Sequence, residues 1–286
     1  MRLAVLIMMI MSVAANNVAR AEEPSEPPHV VDNTLPESGC ARWREPGLVD
    51  GPVAMGLFQG DLGAGRRACP RSELALGVRA GAIIDTPNFY GNLSVDAILE
   101  AFMNLRDRAE LFISVPFINW QYVQNASLTG SQARLGAMSV GGSIIALDKK
   151  GAVLSPYARV LLPTDVRTVG AEAGLALSFR GSRVRTLGAH AVVAGDVSGG
   201  ISGPSSVRGG GLLILGLEWT PARWFGLMVD LQSHLGYRAV LDWLAPAAAV
   251  RFRIYRGLGV ELSALVPLAG ADRHDVALRL RLSLRL

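Results

Sequence analysis

Hydrophobic and polar positions change their rhythm near Arg71. Before it, from Glu22, Pro and Gly recur and no period is sustained. From Glu73 onward, segments of about ten to fourteen residues alternate apolar with small or polar positions, separated by turn-forming clusters. The last segment is the clearest. Val276, Leu278, Leu280, Leu282, Leu284 and Leu286 share one parity, and Ala277, Arg279, Arg281, Ser283 and Arg285 the other. A helix would spread those arginines over every face, whereas a strand gathers them on one. Residues 73–84, 109–118, 169–180, 224–234 and 243–255 read the same way. Weaker members fall near 92–103, 135–147, 152–162, 185–195, 211–220 and 258–266, so about twelve strands are predicted.

Connections are predicted to alternate. Those near Leu105–Arg108, Asp148–Gly151, Arg180–Arg183, Pro221–Arg223 and Tyr255–Gly257 are tight. Those near Asp85–Gly91, Asn119–Ala133, Pro163–Thr168, Asp196–Gly209, Gly236–Leu241 and Pro267–His274 are mostly longer. Short turns at one end and longer loops at the other characterise outer-membrane barrels. The predicted fold class is therefore all-β, an antiparallel transmembrane β-barrel of about twelve strands preceded by an irregular N-terminal segment. Trp120, Trp219, Trp224 and Trp243 sit near predicted strand ends, where interfacial girdles form.

Composition sharpens this picture. Half of the 286 residues are hydrophobic, yet only 6% are aromatic and 18% charged, so Ala, Val, Leu and Ile supply the apolar content. A lipid-facing surface accounts for that excess. The second face of the strands is rich in Gly, Ala and Ser with isolated charges, which suits a confined lumen. A soluble sandwich would show many Lys, Glu and Thr there. Helical spans are disfavoured, because the charge-free stretch Leu111–Ala133 contains Asn119, Gln121, Gln124 and Asn125.

At the N-terminus, Met1-Arg2, the apolar run Leu3–Ala15 and the small-x-small Ala19-Arg20-Ala21 have the order of a secretory signal peptide over 1–21. The apolar run is too short to span a bilayer. Losing Arg2 and Arg20 takes the net charge from +4 to +2. The basic residues are scattered and the lysines are Lys149 and Lys150 alone, so no nucleic-acid partner is expected. Export to the outer membrane of a Gram-negative bacterium is expected, with outer-membrane lipid and the barrel-assembly machinery as partners. The domain reading is signal peptide 1–21, an irregular periplasmic or lumen-plugging segment 22–72, and barrel 73–286. Cys40 and Cys69, an even count in an exported chain, are expected to form a disulfide. Its loop of about 30 residues would contribute roughly 3–4 kcal/mol.

No catalytic constellation is evident. His190, His234 and His274 could join a Ser/His/Asp triad only by free choice among many serines and aspartates, so no enzyme is predicted. No metal site or cofactor is predicted either, since no histidine lies at ligand spacing and Gly209-Gly210-Gly211 opens a strand rather than a helix. The informative set is the charges of lumen parity: Asp96, Glu100, Glu110, Arg159, Glu172, Glu218, Asp230, Arg251, Arg253, Glu261, Arg279 and Arg281. They either pair with one another or line a path for a solute. In the hairpin around Tyr255–Leu258, a three-residue turn would set Arg253 opposite Glu261. Twelve strands lie between the filled eight-stranded barrel and the sixteen-stranded aqueous channel, so a narrow channel and a plugged lumen are both open.

Asn104-Leu-Arg-Asp-Arg-Ala-Glu-Leu-Phe-Ile-Ser-Val-Pro-Phe117 resembles the turn-and-strand motif of the outer-membrane transporter family of the meta pathway of phenol degradation. Tyr157-Ala-Arg-Val-Leu-Leu-Pro-Thr164 resembles a later strand of that family ending in Leu-Pro-Thr, with Asp165 where the family carries Gly. The resemblance implies diffusion of small, fairly apolar molecules and carries over no binding residue. The function expected is a passive channel or transporter for small solutes. A closed structural or adhesive barrel with functional loops is the alternative, and a barrel enzyme the third reading.

Overall fold

A computed structural model of the chain describes Cys40 and residues 67–85, 90–124, 129–149, 151–165, 168–180, 187–200, 207–222, 224–236, 240–255, 257–270 and 276–286. The signal-peptide reading over 1–21, most of the 22–72 segment and the tight connection at 181–183 lie outside the described residues.

The strands are β1 (Glu73–Asp85), β2 (Tyr90–Leu105), β3 (Ala109–Gln124), β4 (Thr129–Arg134), β5 (Met138–Ile144), β6 (Leu147–Lys149) and β7 (Ala152–Leu162). They continue with β8 (Thr168–Arg180), β9 (Leu187–Gly200), β10 (Arg208–Ala222), β11 (Phe225–Gly236), β12 (Leu241–Tyr255), β13 (Leu258–Leu265) and β14 (Val276–Arg285). Each ring strand pairs antiparallel with its neighbours, and β1 pairs β14, from Glu73 opposite Arg285 to Ala82 opposite Val276. That pairing closes the sheet, so the fold is an antiparallel barrel of twelve strands with β4 and β6 outside the ring. Closure removes the edge from the ring itself, and β4 and β6 pair on one side, with β3 and β7 respectively.

The fourth ring strand is broken, and the break has a local cause. Between Ala97–Ile98 of β2 and Pro116–Ile118 of β3 the register shifts, because Pro116 donates no hydrogen bond and Phe117 is bulged out. Phe117 and Ile118 consequently both face outward. Past the bulge the parity inverts: Asn119 turns in, where Glu110, Phe112 and Ser114 did before it. The segment Asn119–Ala133, expected as a loop, is mostly strand for this reason. Its alternation continues, but on the opposite parity. Opposite the bulge, Gly136 N–H donates to Pro116 O at 2.8 Å, while Thr164 Oγ1 donates to the carbonyl of Gly136 at 2.7 Å. Asp165 accepts from Leu135 N–H at 3.0 Å. The Pro-Thr-Asp stretch thus braces the break.

Turn chemistry fixes one end. Arg106 and Asp107 both have positive φ (51° and 62°), a type I′ pair that Asn104 supports by accepting from Asp107 N–H at 3.0 Å. Between β12 and β13, Gly257 takes φ 88°, open to glycine at little cost. The side chains divide cleanly. Leu76, Val78, Leu111, Leu175, Val193, Leu215, Val229, Leu262, Leu280 and Leu282 face outward and are exposed. The opposite parity is buried within the ring. Trp120, Trp219 and Trp224 are on the outward side, but Trp243 is fully buried, stacked with the His234 ring at 6.2 Å. It shares the inward parity of Ala245, Ala247 and Ala249 and belongs to no girdle.

Candidate functional site in the barrel interior

At the turn end, ring strands and residues 67–72 meet in one network centred on Glu73, Glu100 and Glu110. Glu73 lies 2.5 Å from Arg281 Nη2, 2.8 Å from Arg71 Nε and 3.8 Å from Arg251 Nη2. Glu100 Oε2 accepts from Arg279 Nη2 and Arg281 Nε, each at 2.8 Å. Glu110 Oε2 accepts from Arg67 Nη2 at 2.7 Å and from Arg71 N–H at 2.9 Å. Small residues on β1 make this reach possible: Ala75 stands opposite Glu100, and Gly77 opposite Arg281. The guanidinium groups of Arg67, Arg71 and Arg281 lie 4.7, 5.2 and 5.8 Å from the Phe102 ring centroid. A ring face attracts cations most where water is excluded.

Cys40 and Cys69 are joined by a disulfide, with Cα atoms 5.5 Å apart. The bridge and Ala68 are buried in one cluster with the inward side chains of Val153, Tyr157, Ala176, Val192 and Leu212. Ser155 Oγ donates to Ala68 O at 2.5 Å, and Asn104 N–H donates to Ser72 Oγ at 3.2 Å. Residues 67–72 are therefore held by polar contacts to β2, β3 and β7 and by apolar burial at the disulfide.

Farther along, Arg79 grips Asp96 Oδ2 through Nε at 3.0 Å and Nη2 at 2.5 Å, while the Asn119 amide donates to the other oxygen. Glu172 accepts from Arg159 at 2.7 Å and from the Tyr157 hydroxyl at 2.8 Å. On β9–β11, two histidines each sit between two carboxylates. His190 Nδ1 is 3.1 Å from Glu218 Oε1, and its Nε2 is 2.9 Å from Asp230 Oδ1. His234 Nε2 is 2.7 Å from Asp196 Oδ2, and its Nδ1 is 2.8 Å from Asp242 Oδ2. Both rings cross β10 at a glycine. Gly216 pairs with His190 and Asp230, Gly210 with Asp196 and Gly236, and a Cβ at either would strike the histidine beside it.

Of the twelve charges singled out by parity, ten are buried inside the ring, and Arg251 and Arg253 are partly buried at the turn end. One expected pairing is corrected. Tyr255 pairs with Leu258 and a bulge follows, so Arg253 faces Gly259 and Arg251 faces Glu261. The connection is one residue shorter than expected, and the bulge moves the arginine away from the carboxylate. The pattern did not single out Arg67, Arg71, Glu73, Phe102, or the histidines with Asp196 and Asp242. Arg79, Glu73, His190 and His234 carried the same parity signal as the chosen set. Arg67 and Arg71 precede the patterned region and carried none.

No family model matches the chain, and no curated protein matches its sequence. Its structure is similar to the crystal structure of the COG4313 outer membrane channel from Pseudomonas putida F1, at 11% identity and a TM-score of 0.63 over 83% of this chain and 100% of that one. It is also similar to the NanC porin, at 8% identity and a TM-score of 0.53 over 75% of this chain and 100% of that one. At these identities the likeness is one of fold, and the fold is that of outer-membrane barrels.

Proposed function

We propose that the chain is a Gram-negative outer-membrane protein, exported by its N-terminal 21 residues, that acts as a passive channel for small solutes. The observation that carries this reading is the division of side chains between the two faces of a closed ring. Outward residues such as Leu217 and Val193 are 66% and 58% exposed, and their neighbours continue the apolar surface around the strands. Soluble monomers rarely expose contiguous apolar area on that scale. Hydrocarbon accepts sheets only when every backbone group is paired, which closure supplies. The ring strands other than β5 and β13 hold ten or more residues, enough to cross. Inside, the charges at Asp96, Glu100, Glu110, Arg159, Glu172, Glu218, Asp230, Arg251, Arg253, Glu261, Arg279 and Arg281 line the route. A strip of Val192, Leu212, Ile214 and Met228 gives it an apolar side, which suits solutes with apolar surface. The fold shared with a channel and a porin supports the same reading.

The segment 22–72 acts in this proposal as a plug of the turn end, since Cys40 and Arg67–Ser72 already occupy the interior there. That filling also favours a second reading, a closed structural barrel whose loops carry the function. Planar-bilayer recording on the refolded full chain separates the two. Discrete current steps that scale with salt concentration are expected of the channel. Inserted protein that stays silent would refute it and leave the structural barrel.

A further inference from the structure

The corrected pairing of Arg253 leaves an imbalance at the turn end. Arg253 N–H donates to Trp224 O at 2.8 Å, which ties β12 to the start of β11, and Arg285 N–H donates to Gly257 O at 3.0 Å, which ties β14 to the β12–β13 turn. These two bonds draw Arg251, Arg253 and Arg285 around one cleft with Trp224, Gly257 and Gly259. The charges of Arg251 and Arg285 act directly on Arg253. Nearby carboxylates are engaged elsewhere: Glu73 with Arg71, Arg251 and Arg281, and Glu261 opposite Arg251 and Arg281. Among the described residues Arg253 has no ion pair. Three clustered cations with one of them uncompensated favour an anion in the cleft.

The outer wall beside the cleft restricts which anion. Trp224 is 60% exposed and stacks with Phe252 at 6.4 Å, and Phe225 packs against Phe252 at 5.5 Å. Ile254 is 63% exposed, and Leu258 and Leu284 are exposed on the same outward face. A free anion would use the arginines and leave this wall unused. A molecule with a phosphate at one end and acyl chains at the other satisfies both, and Trp suits the boundary between them. We infer that the turn-end rim of β11–β14 is a binding site for an anionic phospholipid, with Arg253 and Arg285 as ligands of its phosphate and Trp224, Ile254 and Leu258 against its glycerol and acyl portions. Guanidinium groups hold phosphate oxygens by paired, charge-assisted hydrogen bonds. The site rests on the outer-membrane reading and specifies which lipid chemistry the barrel holds.

Native mass spectrometry tests this on the refolded full chain in detergent, titrated with phosphatidylglycerol. Arg253→Gln should weaken the one-to-one adduct roughly fivefold, and Arg253→Gln with Arg285→Gln by the square of that factor. Arg253→Lys should fall between, keeping charge without the fork. Excess inorganic phosphate should leave the adduct unchanged. Equal adducts for all variants would overturn the site. Phosphate that strips the lipid to the level of the double variant would overturn the lipid as ligand and mark a free-anion site. Heat-modifiable gel mobility after vesicle insertion keeps the two claims apart. If the unaltered protein does not insert, the membrane reading falls and takes the site with it. Insertion without a lipid difference removes the site alone.

Discussion

Gly216→Ala is a one-methyl substitution that should cost far more than its size. Gly216 pairs with His190 on one side and Asp230 on the other, and the two side chains meet over it at 2.9 Å. A Cβ there would overlap both the imidazole and the carboxylate, whose side chains are 1% and 0% exposed. His190 cannot turn aside without giving up Glu218, which holds its other ring nitrogen at 3.1 Å. Overpacking of this kind costs about 1–3 kcal/mol. Loss of a charge-assisted hydrogen bond costs a further ~1.5–3 kcal/mol. Against this, replacing a strand glycine recovers roughly 0.5–1 kcal/mol of backbone entropy. The net expectation is a destabilisation of about 2–5 kcal/mol. Gly211 on the same strand gives the control. A Cβ there meets nothing nearer than Ala194 O at 3.9 Å, so Gly211→Ala should keep the entropic gain and be stabilising. Equilibrium urea unfolding of the vesicle-inserted protein measures both. Opposite signs are expected, and a smaller Gly216→Ala penalty in a His190→Ala background. The same sign for both glycines would refute the bridge across β10.

Three further outcomes follow from the same geometry. Leu280→Arg sets a guanidinium on the outer face and should cost about 2–4 kcal/mol or abolish heat-modifiable mobility, whereas Arg253→Gln at the rim should leave folding within about 0.5 kcal/mol. Arg281→Gln strips Glu73 and Glu100 of a buried partner and should lower stability by about 3–5 kcal/mol in the same urea titration, although its neighbour Leu280 is the residue on the apolar face. Arg67→Ala, or Cys40→Ser with Cys69→Ser, should loosen the segment inside the ring and raise single-channel conductance; unchanged current in both would show that the segment obstructs nothing.

Parity was legible because a strand repeats every two residues whatever its neighbours do. All twelve predicted segments correspond to ring strands, and the alternation that separated Leu280 from Arg281 also separated Asp230 from Leu231. Register was not legible, since it depends on the turn and on bulges. Phe117 hides one residue in β3, and the alternation beyond it then resembled a loop. The shorter turn and the bulge at Ile254 together moved Arg253 from Glu261 to Gly259. The histidine bridges needed more still. His190 and Asp230 are 40 residues apart and lie two strands apart, and only the glycine between them lets them touch. Trp243 illustrates the same limit: position near a strand end suggested an interface, and parity, which placed it inside, was the stronger signal.

Inside the ring, charges on the strands are matched by cations from the chain before β1. Ring strands supply Glu73, Glu100 and Glu110, while two of the cations that meet them, Arg67 and Arg71, come from the chain before β1. Burying such carboxylates without partners would be costly, so the ring and the preceding segment stabilise each other. A solute that crosses the barrel must therefore displace these contacts or pass along another wall. On β9–β11 the charges are bound to one another across the strands rather than to the segment, and Val192, Leu212 and Ile214 stand between the two histidine bridges. That wall meets the segment through the apolar cluster that holds the Cys40–Cys69 bridge, so a solute passing on that side separates apolar contacts rather than buried ion pairs, and the route costs least there. Bulky substitutions at Ile214 should then reduce conductance more than equivalent changes on the Arg281 side.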